Sequence, residues 1–195
     1  MDAAVHKRDA IVDAACATLT SVGIGRITVA LVAKAARVSS ALVHYHFATK
    51  QKLLGAAAEA LVRRRTDSRI AALAAGYGLS SLDALWGALA DDPAEAERAA
   101  PDLILLARED PEVRSALRLE RQREQARLAA VLPQLFRGLG TRPRIPFEDL
   151  AATVCTFLDG ATASLLAGTP ADDVRASYDA FWLALVALGQ AVPAR

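Results

Sequence analysis

Between Thr28 and Thr49 the punctuation of the chain leaves room for very short helices only, and this constrains the fold more than any other feature. Apolar spacing gives a helix over 29–36, then a tight turn at Arg37-Val38. A second helix opens at Ser39 and runs to about Tyr45. Helices of two turns do not stand alone in water, because nucleation costs more than so few hydrogen bonds return. They must pack on each other and on longer neighbours. The spacing supplies one neighbour before them and one after. Over 5–22, Ile11, Ala14, Ala15, Thr18, Leu19 and Val22 share a face, and Gly23 ends the segment. From Lys50 a helix continues to about Leu73. Thr28, Ser39 and Thr49 each stand where a helix N-cap is needed. Short helices joined by a tight turn in this way form a helix-turn-helix arrangement.

Beyond Leu73 the pattern stays helical, over 80–90, 94–107, 110–132, 147–167 and 171–188. Breakers separate these segments: Gly76 and Gly78, Pro93, Pro111, the run from Gly138 to Pro146, and Gly168 to Pro170. The stretch 133–146, with Pro133, Pro143 and Pro146, reads as an irregular loop. No alternating strand pattern and no internal repeat is evident. The expected class is all-α, with a helix-turn-helix domain over 1–49 and a larger helical domain over 50–195. Apolar residues make up 53% and charged residues 23%, the balance of a globular chain. The longest uncharged run, 180–194, is shorter than the roughly 18 residues a membrane span needs. Asp2, Asp9 and Asp13 with no apolar run beside them argue against a secretion signal, so a cytoplasmic location is expected. Cys16 and Cys155 lie in apolar-periodic segments and read as buried thiols. No metal site or cofactor is expected.

The net charge of +1 hides an asymmetry. Residues 1–74 carry a balance of +6 and residues 75–195 one of −5. All four lysines and all three histidines lie in the first 52 residues. That distribution suggests an anion-binding module on an acidic body. Within 38–54, "VSSALVHYHFATKQKLL", Val38, Val43 and Phe47 share an inward face. Ser40 and Ala41 are small enough to let the helix approach a surface. His44 and Tyr45 can donate hydrogen bonds to phosphates or base edges. Leu42 either touches a thymine methyl or packs on the first helix. Lys50 and Lys52 open the next helix, where positive charge opposes the helix dipole by ~0.3–1 kcal/mol each. A phosphate at the same place reverses that sign.

Residues 8–54 resemble the N-terminal DNA-binding domain of the TetR family of transcriptional repressors. The resemblance rests on Arg8, Ile11, Ala14-Ala15 and Leu19, then Gly23, Thr28-Val29 and "VAKAA" at 32–36. It continues through "VS" at 38–39, "YHF" at 45–47, Lys50 and Leu53-Leu54. It implies a homodimer on double-stranded DNA, with the third helix in the major groove. It also implies a C-terminal domain that binds a small effector and thereby releases DNA. Thr28, Ser40, Ala41, His44, Tyr45, His46 and Lys50 match family positions that contact DNA, and Arg37, Ser39 and Leu42 join them as candidates. The chain departs from the pattern at three points. Arg37 replaces the usual turn glycine, so a positive φ costs more there. Ala41 stands where glycine is frequent, and His44 where tyrosine is frequent.

"FLDGATASLL" at 157–166 resembles the family's penultimate helix. Gly160, Ala161, Ala163 and Ser164 permit close helix approach. With Leu165, Tyr178, Phe181, Trp182, Leu185 and Val186 they suit a four-helix dimer interface. Candidate effector-lining residues are Trp86, Leu89, Leu103, Leu106 and Phe157. Glu120 and Glu124 are polar anchors in that cavity or part of a solvated face with Arg121, and the solvated face is preferred. The expected function is therefore a regulator released from a palindromic operator by a hydrophobic or amphipathic effector. An activator or a constitutive regulator fits the same residues. An all-helical enzyme fits them poorly: no histidine follows His46, and there is no glycine-rich phosphate loop or Gly-x-Ser-x-Gly.

Overall fold

The structure, a computed structural model, describes residues 2–91 and 95–191. Four helices occupy the first part: α1 (Asp2–Val22), α2 (Val29–Ala35), α3 (Ser40–His46) and α4 (Lys50–Ala74). The rest is α5 (Leu79–Trp86), a π-helical turn at Gly87–Asp91, α6 (Glu95–Arg98), α7 (Ala100–Glu109), α8 (Pro111–Gly138), α9 (Phe147–Leu166) and α10 (Ala171–Ala187). Two short strands, β1 (Thr141–Arg142) and β2 (Gln190–Ala191), pair antiparallel, Thr141 opposite Ala191 and Arg142 opposite Gln190. Among the described residues the structure is all-α apart from this one strand pair.

Packing divides it into two compact units. The first contains Met1–Arg65 and Arg98–Arg121, the second Thr66–Glu97 and Gln122–Arg195.

In the first unit the expected caps form. Thr28 Oγ1 accepts from Leu31 N at 3.2 Å, Ser39 Oγ from Leu42 N at 3.2 Å, and Thr49 Oγ1 from Lys52 N at 3.1 Å. Gly23, at φ +77°, ends α1 in the left-handed conformation that glycine adopts freely. Ile11, Ala15, Cys16, Leu19, Ile27, Val32, Val43, Phe47, Leu53 and Leu61 are buried, and together they hold α2 and α3 against α1 and α4. Leu103, Leu106 and Val113 bring α7 and the start of α8 into the same unit. Asp102 Oδ1 accepts from Ile24 N at 2.9 Å, which ties α7 to the α1–α2 turn. Arg64 pairs with Asp13, and Arg63 lies 3.6 Å from Glu120.

The second unit is built on Leu82, Leu85, Trp86, Leu132, Phe136, Leu150, Val154, Leu158, Tyr178 and Trp182. By length and mean hydropathy α9 could cross a membrane, but Leu150, Val154 and Leu158 belong to this core.

The described residues differ from the sequence reading in four places. The expected helix over 110–132 continues through Pro133 to Gly138. The proline removes one intrahelical hydrogen bond, but Leu132, Leu135 and Phe136 are buried on either side of it, and their burial holds the last turn. The expected irregular loop therefore begins only after Gly138, and part of it is β1. The expected helix over 80–90 is α5 followed by a π-helical turn. The segment 94–107 is two helices, because Pro101 stands in the first turn of α7, where a proline begins a helix more readily than it continues one. The break expected at Pro93 lies outside the described residues.

Candidate nucleic-acid interface

Thr28, Arg37, Ser39, Ser40, Ala41, His44 and Tyr45 are all exposed, and Leu42, His46 and Lys50 are half-buried. The first unit carries them at the start of α2 (Thr28), on the α2–α3 turn, on α3 and at the start of α4. Tyr45 is 81% exposed, far more than an aromatic ring needs for packing. Its neighbour His46 meets it edge-on at 5.2 Å. On the opposite face of α3, Val43 and Phe47 are 1% and 4% exposed. Arg8 of α1 stacks its guanidinium 5.1 Å from the Phe47 ring and so supports the end of α3 from below. Leu42 divides its surface between packing and solvent.

The electrostatics are one-sided. Residues 14–58 contain Arg26, Lys34, Arg37, Lys50 and Lys52 and no aspartate or glutamate. The first turn of α4 has no acidic residue to match its dipole. A surface of this kind attracts a polyanion at long range and offers hydroxyl, imidazole and phenol groups at contact.

The turn between α2 and α3 adopts the conformation in which Arg37 costs most. Arg37 has φ +56° and is, among the described residues, the one non-glycine with positive φ. Val38 N bonds Ala33 O at 2.9 Å and Arg37 N bonds Lys34 O at 3.2 Å, the paired bonds of a Schellman helix end.

The residues expected to line an effector cavity fall in both units. Leu103, Leu106 and Glu120 belong to the first; Trp86, Leu89, Glu124 and Phe157 belong to the second. The preferred solvated face does not form: Glu120 and Glu124 are each 3% exposed. In the second unit Glu124 joins a buried network centred on Arg69. Arg69 donates to Glu97 through Nε at 2.8 Å and Nη2 at 3.0 Å, and through Nη1 to Glu124 at 3.1 Å and Asp159 at 3.2 Å. Thr162 donates to Glu97 at 3.0 Å. Buried charges persist when paired and hydrogen-bonded in this manner. The sequence holds no local signal for it, because its members lie up to 90 residues apart.

The residues expected between protomers also divide. Tyr178 and Trp182 are 0% and 2% exposed, in the second unit's own core. The Tyr178 hydroxyl donates to Leu82 O at 2.8 Å, and Trp86 lies 5.4 Å from its ring. Phe157 and Phe181 stack at 3.9 Å, and each is half-buried, as are Ser164, Leu165, Leu185 and Val186. Ala161 is buried; Gly160, Ala163, Leu166, Leu183 and Leu188 are exposed. A groove of 360 Å³ runs between α9 and α10, lined by Phe157, Gly160, Ser164, Asp173, Val174 and Ser177, with Ala161 and Thr169 beside them.

The family model described as "Bacterial regulatory proteins, tetR family" matches residues 11–57, from within α1 into α4. No curated protein matches the chain. Solved structures share its fold along nearly all its length. One, described as a TetR-family transcriptional regulator of Rhodococcus sp., is 22% identical, with a TM-score of 0.76 over 92% of this chain and 98% of that one. Another, so described from Mesorhizobium loti, is 19% identical, with a TM-score of 0.77 over 97% and 100%. A third, described as a transcriptional regulator of Saccharomonospora viridis in complex with choline, is 19% identical, with a TM-score of 0.70 over 91% and 95%. Residues 11–57 thus match the family model of tetR bacterial regulatory proteins, and the whole chain has the fold of solved structures described as transcriptional regulators.

Proposed function

We propose that the protein is a cytoplasmic, homodimeric repressor that leaves a palindromic operator when a small effector binds. The observation that carries the DNA-contact assignment is the exposed row Ser40, Ala41, His44 and Tyr45 on α3, flanked by Thr28, Arg37 and Lys50 in a segment free of carboxylates. Tyr45 and Lys50 hold phosphates and fix the register. His44 reads a base edge, with Ser39, Leu42 and His46 completing the contact face. The open groove between α9 and α10, with Gly160 and Ser164 on its wall, supports pairing of two copies through these helices. For effector release the support is the fold, shared with a regulator solved in complex with choline.

The test is a selection of bound sites from random duplex DNA, followed by mobility-shift titration across salt. Tyr45→Ala and Lys50→Ala should weaken binding to every sequence. Lys50→Ala should make the salt slope shallower by about 1 per protomer. His44→Ala should change the preferred base at one position per half-site. A Lys50→Ala protein with an unaltered salt slope refutes the assignment of the α4 start.

A further inference from the structure

The chain builds the same helix end twice with different residues. At the end of α9, Thr169 N bonds Ser164 O at 3.0 Å and Gly168 N bonds Leu165 O at 3.0 Å; the left-handed residue is Gly168, at φ +89°. At the end of α2 the matching bonds run from Val38 N and Arg37 N, and the left-handed residue is Arg37, at φ +56°. An L side chain in this region crowds its own backbone, whereas glycine does not. The Arg37 side chain is exposed, and among the described residues no group accepts from its guanidinium. It stands two residues before Ser39, within the carboxylate-free segment 14–58.

We infer that Arg37 is a phosphate-binding residue kept at the expense of fold stability: its guanidinium grips the DNA backbone beside α3, and the strain in the turn is the cost of placing it there. Strained residues persist where their side chains act, and a guanidinium offers a phosphate two parallel hydrogen bonds that no glycine can supply. The inference rests on the reading of residues 28–50 as the DNA face. It goes beyond that reading by giving one substitution opposite effects on folding and on binding.

The experiment uses the full chain and a mixed-sequence DNA duplex, which reports phosphate contacts without needing the operator. Arg37→Gly and Arg37→Asn both relax the turn and remove the charge. Each should raise the unfolding midpoint by about 2–4 °C. Each should weaken duplex binding about tenfold, with a salt slope about 1 shallower per protomer. Arg37→Lys keeps the strain and the charge, so it should keep both the midpoint and the slope. The inference is overturned if Arg37→Gly binds the duplex as tightly as the wild type, if it melts no higher, or if Arg37→Lys loses the slope that Arg37→Gly loses. Tyr45→Ala and Lys50→Ala serve as benchmarks. If they weaken binding and Arg37→Gly does not, the Arg37 inference fails alone; if all three bind as the wild type does, the DNA face itself is misplaced.

Discussion

Gly78 and Gly138 show what single residues decide here. A Cβ on Gly78 would lie 2.6 Å from Gly138 O, and one on Gly138 would lie 2.5 Å from Gly78 N. Gly78 also has φ +61°. Two backbones touch where no side chain fits, so Gly78→Ala should cost more than about 2 kcal/mol, read as a lower urea midpoint. The sequence marks both glycines as breakers, but their mutual contact is invisible in it, since 60 positions separate them. The same holds for Arg69. Arg69→Ala strips a bidentate partner from buried Glu97 and should cost about 3–5 kcal/mol. Asp159→Asn, at a side chain 29% exposed that accepts from Arg69 at 3.2 Å, should cost less than about 1 kcal/mol. Tyr178 behaves differently. Burial pushes its phenol well above the ordinary tyrosine range, so the folded state holds this proton more tightly than the unfolded chain does. The associated stability is complete below pH ~10 and falls as pH rises beyond it. Alkaline thermal melts should show that decline, and Tyr178→Phe should flatten it.

At the scale of elements, local signals succeeded where the first unit needed nothing else. Thr28, Ser39 and Thr49 cap α2, α3 and α4 because the bonds they make span three residues, a distance a sequence pattern can hold. They failed where burial overrode local preference. Pro133 should stop a helix, yet α8 passes through it because Leu132, Leu135 and Phe136 are buried around it. Pro133→Ala restores the missing N–H without opening a cavity in that core and should raise the thermal midpoint by at least about 2 °C. The link from α7 to the α1–α2 turn was equally hidden: Asp102 and Ile24 lie 78 positions apart. Asp102→Ala leaves the Ile24 N–H without its acceptor. Amide exchange at Ile24 should then quicken markedly, while Asp102→Asn, which retains an Oδ1 acceptor, should stay near the wild-type rate.

At the scale of the molecule, the charge asymmetry alone marks an anion-binding module and the cap spacing a helix-turn-helix, because electrostatic attraction to a polyanion depends on composition as much as on geometry; that the anion is DNA was implied by the resemblance at residues 8–54. Dimerisation is less legible, since a residue facing a second copy and one facing its own core have the same apolar pattern. Tyr178 and Trp182 turned inward; Gly160 did not. A Cβ at Gly160 would meet nothing within 4 Å of its own chain, although the residue lies on the wall of the α9–α10 groove. That combination makes Gly160→Arg a selective probe. The substitution adds bulk and charge to open space, so the protomer should keep its helical content and its melting cooperativity. If α9 and α10 join two copies, the same side chain lies in the joint and separates them. Wild type should sediment as a dimer at micromolar concentration and Gly160→Arg as a monomer. The consequence for DNA follows from symmetry. A two-fold dimer reads two half-sites about one helical turn, or a multiple of it, apart, and its affinity depends on that spacing. A monomer reads one half-site and is indifferent to where the other lies. Gly160→Arg should therefore bind operator and isolated half-site alike, with the wild-type preference for spacing gone. A variant that stays dimeric places the joint elsewhere on the chain, and one that is monomeric yet still sensitive to spacing removes the link between dimer symmetry and operator symmetry.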